Sequence, residues 1–166
     1  MLIPPIRHQS VSRTVMNEYV LPQHTNALGN VFGGQVMAWV DICGAICAQR
    51  HCNRVAVTLF VDDLKFEQPV KLGEVMQLEA QVSATFRTSM EIEVVARGER
   101  PLTGESWSCV TARMTFVAID DAGAPTPIPA LELDTDALRA SQADGEQRRE
   151  QRREQRRSAG PKSVVR

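Results

Sequence analysis

An α+β fold, one long helix with an antiparallel sheet of about five strands curled around it, is what this sequence predicts. Two observations carry the prediction. Residues 33–51 are the only long stretch with helical spacing and no proline. Residues 74–119 alternate apolar and polar side chains in three runs, the pattern of antiparallel strands with one buried and one wetted face. A single helix must then cover the apolar face, so the sheet is expected to curl round it and share one core with it.

Each element has its own reason. Residues 1–10 contain two adjacent prolines and read as a loose arm. Residues 11–21 (VSRTVMNEYVL) are rich in strand formers. Residues 22–32 hold Asn26, Gly29 and Asn30 and read as a loop, from which the helix starts at Gly33-Gly34. Residues 54–70 read as one strand that Pro69 ends, followed by a turn at Lys71-Leu72-Gly73. In 74–86, Met76, Leu78, Ala80, Val82, Ala84 and Phe86 fall on one face. Met90, Ile92, Val94 and Ala96 do so in the next run, and Val110, Ala112, Met114, Phe116 and Ala118 in the last. Such a sheet leaves edge strands, which favours pairing between subunits.

The domain proper therefore spans 11–123, after the arm at 1–10. Residues 124–145 open with APTPIPA and read as a Pro-rich, acidic linker. Residues 146–166 begin with EQRR three times over and form a basic tail. Its Glu and Arg residues stand in i,i+3 pairs, but it has no apolar stripe to bury, so a disordered segment or an exposed helix is expected. Six arginines in twelve residues would attract polyanions. The lack of an aromatic residue to stack a base argues against nucleic acid.

Composition excludes several classes. The 43% hydrophobic and 23% charged fractions are those of a globular protein, and no apolar run approaches the length of a membrane span. The first ten residues lack the apolar core of a secretory signal, so a cytoplasmic protein is expected, without a membrane partner. Cys43, Cys47 and Cys52 with His51 could be drawn as a metal site. No C-x-x-C is present, and they read as small buried hydrophobes, so no metal is expected. The net charge of -1 divides into -6 over residues 1–145 and +5 over 146–166.

The chemistry is expected between Pro22 and Arg50. A helix that starts on two glycines leaves its first amides uncovered, ready to polarise a carbonyl. Asn26 could orient that carbonyl or an attacking water. Asp41 is the lone carboxylate of an otherwise apolar helix, a costly placement unless it is used or paired. Gly34, Ala38, Asp41, Ala45 and Ala48 share one helix face, small enough for another backbone to approach. Asp41 lies seven residues beyond Gly34, about 10 Å along the axis at the helical rise. One carbonyl cannot be gripped by both ends of that span, so the site is expected to be shared, with Asp41 from one subunit and the loop and helix start from its partner. His24, in the same loop, is a further candidate base.

The string from Pro22 to Gly34 (PQHTNALGNVFGG), followed by a helix carrying Asp41, resembles the hotdog-fold acyl-CoA thioesterases, in particular the bacterial broad-specificity and cytosolic brain-type branches. His51-Cys52-Asn53, Phe66, Pro69-Val70, Gly73-Glu74 and Thr88-Ser89 add to the resemblance, which covers residues 11–128. It implies hydrolysis of acyl-CoA to a free acid and CoA, with no cofactor other than the CoA of the substrate. It also implies a homodimer, assembled further as a trimer of dimers. Asn26 matches the family's loop Asn, Asp41 its helix carboxylate, and Gly33 and Gly34 its oxyanion-binding helix start. Phe32, Arg54, Lys65, Arg87, Thr88 and Ser89 are candidates to hold the CoA. Where His24 stands, bacterial members tend to carry an acidic residue, and the EQRR tail has no counterpart in the family pattern. Two rival readings are a hotdog dehydratase acting on a hydroxyacyl thioester and a non-catalytic acyl-CoA sensor. The Asn26-to-Gly34 string argues against the first, and the presence of Asp41 against the second.

Overall fold

The computed structural model describes residues 5–158. Its elements are β1 (Thr14–Tyr19), α1 (Gly33–Cys52), β2 (Ala56–Phe66), β3 (Val75–Thr85), β4 (Ser89–Arg100), β5 (Glu105–Ala118) and α2 (Asp136–Ser158). The five strands form one sheet in the order β1-β3-β4-β5-β2, with every pairing antiparallel. One long helix on five antiparallel strands is the hotdog arrangement. The expected curl is not there: the sheet is open, β1 and β2 are its two edges, and they do not pair with each other. Curling is unnecessary because other segments close the core. Val20, Val31, Val70, Ile128 and Leu131, all outside the strands, are buried in the same cluster as the α1 face and the sheet.

The alternating residues do what their spacing predicts. Met76, Leu78, Ala80 and Val82 of β3 and Ile92, Val94 and Ala96 of β4 are buried against α1, as are Val110, Ala112, Met114 and Phe116 of β5. From α1 the opposing face supplies Val36, Val40, Cys43, Gly44, Cys47 and Ala48. Gly44 is needed there, since a Cβ would stand 3.0 Å from the Phe116 ring. The helix stops at Asn53, which adopts a left-handed conformation (φ 52°) and donates its N–H to the Gln49 carbonyl.

One register detail departs from the sequence pattern. A bulge between Val82 and Ala84 breaks the alternation of β3, so Ala84 pairs with Glu91 on the face opposite α1. That face is covered by α2, over residues for which the sequence predicts an acidic linker (124–145) and a tail that is disordered or an exposed helix (146–166). Gln142 of α2 donates Nε2–H to the Thr85 carbonyl (3.0 Å) and accepts from the Thr85 N–H (2.9 Å), extending the ladder with a side-chain amide. Gly145 sits directly on Ala84, where a Cβ would come within 2.6 Å of the Ala84 methyl. Arg148 reaches the buried Glu91 and Arg152 reaches Asp62 of β2. The helix is thus docked by polar contacts repeating every three or four residues, which a search for apolar stripes does not see.

Candidate active site

The loop before α1 is built by its own backbone. A single 3₁₀ turn at Pro22–His24 starts it, and Thr25 bridges to Val31. The Asn26 N–H donates to the Asn30 carbonyl (2.8 Å), and Gly29, at φ 76°, closes the turn on the Asn26 carbonyl (2.9 Å). The Asn26 side chain is oriented by the same turn. Its Oδ1 accepts from the Leu28 N–H at 2.9 Å and the Asn30 N–H at 3.3 Å. Its Nδ2 has no hydrogen-bond partner among the described residues, so the donor end is the one presented outward.

His24 has a structural task here. Its Nδ1 accepts from the Leu21 N–H (3.2 Å), and its ring packs edge-on against Trp39 at 5.0 Å. Phe32 is the residue before α1 and gives no side-chain cap, and the first turn holds no acid, so the amides of Gly33 and Gly34 have no hydrogen-bond partner among the described residues. The Phe32 ring, largely exposed, lies over Gly34, where a Cβ would meet it at 2.9 Å. Asn26 and Gly33 line a common cleft of about 300 Å³ with Val36, Phe66 and Gln68.

Asp41 does not line that cleft. It projects from a half-buried position on α1 and accepts a 2.5 Å hydrogen bond at Oδ1 from Thr58 Oγ1 of β2. Thr58 is the residue that sequence reading missed. It pairs with Phe116 across β5 and so faces the helix, a consequence of register that its type and position in the chain do not reveal. On α1, Met37 and Ile42 near Asp41 in sequence remain exposed, as do Val57, Leu59, Phe60 and Val61 of β2.

Thr88 and Ser89 line a second cleft, of about 450 Å³, on the face of the sheet opposite α1. Arg149, Arg152 and Arg153 of α2 form its other wall. Arg54, Lys65 and Arg87 line neither cleft, and Lys65 lies 3.7 Å from Glu67. The four cysteines are free and buried. Burial pushes the Cys43 and Cys109 thiols up to about 11 and that of Cys47 to about 12, which leaves them poor nucleophiles.

Comparison with known proteins decides the family. Residues 28–105 match the thioesterase superfamily. An uncharacterised acyl-CoA thioester hydrolase of Bacillus subtilis is 35% identical over 133 residues, which is 80% of this chain and 77% of that protein. The chain belongs to the hotdog-fold acyl-CoA thioesterase family. Two solved members superpose over nearly the whole chain. A hexameric acyl-CoA thioesterase in its apo form, 34% identical, matches with a TM-score of 0.85 over 95% of this chain and 99% of the other. An acyl-CoA hydrolase of Staphylococcus aureus, solved with butyryl-CoA and CoA, is 32% identical and matches with a TM-score of 0.82 over 93% and 94%. The Staphylococcus hydrolase has also been solved as variants in which an Asn, an Asp and a Thr are each replaced by Ala. Those three residues stand 15 and 17 positions apart in its chain. Asn26, Asp41 and Thr58 have the same spacing in this thioesterase.

Proposed function

We propose that this chain hydrolyses acyl-CoA thioesters to a free acid and CoA at a site shared between two subunits. The observation that carries the reading is Asp41, a carboxylate fixed by Thr58 at 2.5 Å on a helix that leaves Met37 and Ile42 exposed. The carbonyl oxygen of the thioester docks on the Gly33 and Gly34 amides of the other subunit, where the helix dipole favours the developing negative charge. Asn26, its Oδ1 held by the loop, donates through Nδ2 to the substrate or to the attacking water. Asp41 takes the proton from that water, or attacks the acyl carbon itself to give an anhydride that water then hydrolyses, returning the carboxylate. Thr58 holds Oδ1, which leaves Oδ2 to act. The C–S bond then breaks, the sulfur leaves as the CoA thiolate, and the acyl group ends as the carboxylic acid.

The β2 edge supports a dimer. It is 11 residues long, its outer row of backbone groups is unpaired among the described residues, and Val57, Leu59, Phe60 and Val61 on it are apolar and exposed. A long apolar edge of that kind calls for another strand, and a second copy of β2 is the simplest occupant. The hexameric state of the apo relative fits a trimer of such dimers. Among the described residues no helix is long and apolar enough to cross a membrane. A cytoplasmic site of action, where acyl-CoA is found, is part of the same reading.

The test is turnover of a series of straight-chain acyl-CoAs, followed by a thiol reagent. Wild type releases CoA steadily, and Asp41→Ala and Asn26→Ala lower kcat by about 10²- to 10⁴-fold. Full activity in either variant, or binding of acyl-CoA without release of thiol by wild type, overturns the reading.

A further inference from the structure

Strand β2 does not keep a simple alternation, and the departure bears on Asp41. Thr58, Val61, Leu64 and Phe66 stand opposite Phe116, Met114, Ala112 and Val110, the β5 residues buried against α1. Strict two-residue spacing from Thr58 would bring Phe60 and Asp62 to that face and turn Val61 away from it. Two bulges make the difference, one between Thr58 and Phe60 and one between Val61 and Asp63, and they leave Leu59 and Asp62 without a β5 partner. β2 is also an edge strand, so β5 is its only neighbour in the sheet among the described residues. A strand held from one side, with extra residues in it, can slip in register, and a slip of one residue exchanges its two faces. Such a slip would offer Asp41 the side chain of Val57 or Leu59, and neither can donate a hydrogen bond.

A second hold on β2 comes from the EQRR helix. α2 crosses the outer face as a brace: Gln142 is bonded to Thr85 of β3, Arg148 to Glu91 of β4 and Arg152 to Asp62 of β2. Arg152 Nη1 donates to Asp62 Oδ2 at 2.5 Å, and its guanidinium lies 5.6 Å from the centre of the Phe60 ring. It therefore grips the unpaired residue of one bulge and the residue that follows the other. The two charged side chains are 17% and 15% exposed, so water and salt screen this pair far less than a surface contact. Arg153, next in the chain, pairs among the described residues only with Glu150, at 3.6 Å, and its side chain is 54% exposed.

We propose that Arg152 is a positioning residue for hydrolysis: its grip on Asp62 and Phe60 fixes the two bulges of β2, and through that register it presents the Thr58 hydroxyl to Asp41 Oδ1, 2.5 Å away. In this role Arg152 acts through Thr58 and not on the reacting atoms. The proposal rests on the part given to Asp41 in the thioesterase reading. It also gives the EQRR repeat a task. Arg148 and Arg152, four residues apart on one helix face, tie the edge strand that serves the site to the middle of the sheet.

The test is a double-mutant cycle in kcat on one acyl-CoA, with Arg152→Ala, Thr58→Ala and the two combined. Arg153→Ala, which removes the same charge from the same helix, is the control. Asp62→Asn, which keeps an oxygen for the guanidinium, takes the place of Arg152→Ala in the cycle should that variant not fold. Arg152→Ala lowers kcat about tenfold with KM within about twofold, and Asp62→Asn lowers it about two- to fivefold. In the Thr58→Ala background either change costs less than about twofold more, because the contact it protects is already gone. Arg153→Ala matches wild type. Hydrogen exchange read by mass spectrometry reports the hold directly: residues 56–66 exchange at least about tenfold faster in Arg152→Ala, while residues 89–100 keep their protection. Losses that multiply in full in the double variant overturn the proposal, since the effect of the arginine is then independent of Thr58. So does a raised KM at unchanged kcat, which makes Arg152 a substrate ligand, and so does unaltered exchange over 56–66. Should wild type release no thiol, the thioesterase reading falls instead, and the exchange comparison still decides whether Arg152 holds β2.

Discussion

Removing Arg148 tests whether α2 is held to the sheet by one buried ion pair. Glu91 has no exposed side-chain surface, and its carboxylate accepts from Arg148 Nη2 at 2.5 Å and Nε at 3.2 Å. Two weaker partners remain in Arg148→Ala: Arg113 Nε at 3.5 Å and the Ser83 hydroxyl at 3.3 Å. A hydrogen bond to a charged group contributes about 1.5–3 kcal/mol, and breaking a buried pair costs about 3–5 kcal/mol. Arg148 is 26% exposed and Arg113 can move closer, so the lower end applies, about 2–3 kcal/mol. In a chain of this size that lowers the apparent Tm by about 4–12 °C. Circular dichroism melts at fixed protein concentration measure the shift, and limited trypsin digestion shows whether the EQRR segment is released. Glu91→Gln provides the second edge of a double-mutant cycle with a coupling of at least about 1 kcal/mol. An unchanged Tm together with an unchanged tryptic pattern refutes the docking role assigned to this pair.

Three further outcomes are expected. Thr58→Ala frees the Asp41 carboxylate and lowers kcat by about 10- to 100-fold with little change in KM, and Thr58→Ser restores it, as steady-state kinetics on acyl-CoA will show. Gly34→Ala places a methyl 2.9 Å from the Phe32 ring. The ring must turn away from the helix start, so kcat/KM falls while the melting temperature holds, alanine being favoured over glycine in a helix by about 1 kcal/mol. His51 is buried, with Nε2 3.1 Å from the Pro129 carbonyl and Nδ1 without a partner among the described residues, and burial holds its pKa below the usual histidine value. The unfolded chain then binds this proton more readily, so the native state loses stability as pH falls below about 6.5, the unfolded value, toward the lower native one. Denaturant melts between pH 7.5 and 5 check this: His51→Gln flattens the loss, and an unaltered slope contradicts it.

How much was legible depends on what kind of contact holds each part. The period-two runs in β3, β4 and β5 and the long proline-free helix report burial of side chains, and burial is what hydropathy patterning records. Asn26, Gly33, Gly34 and Asp41 could be singled out because an uncapped glycine start and a lone carboxylate in an apolar helix are anomalies visible in the chain itself. Thr58 could not, since an exposed threonine in a strand is ordinary until the β2–β5 register turns it toward Asp41. His24 is a candidate base by residue type, and only the folded loop shows its Nδ1 accepting from the Leu21 N–H.

The sequence by itself determined a helix-and-sheet domain, its strand alternation and the loop-plus-carboxylate signature of the family, because each is local or periodic. The tertiary structure alone decided that the sheet stays open, that the β3 bulge turns Ala84 outward, and that residues 136–158 fold back over that face as a helix. Those choices rest on pairing register and on polar contacts between residues up to 90 positions apart, such as Arg152 with Asp62, which no local pattern encodes.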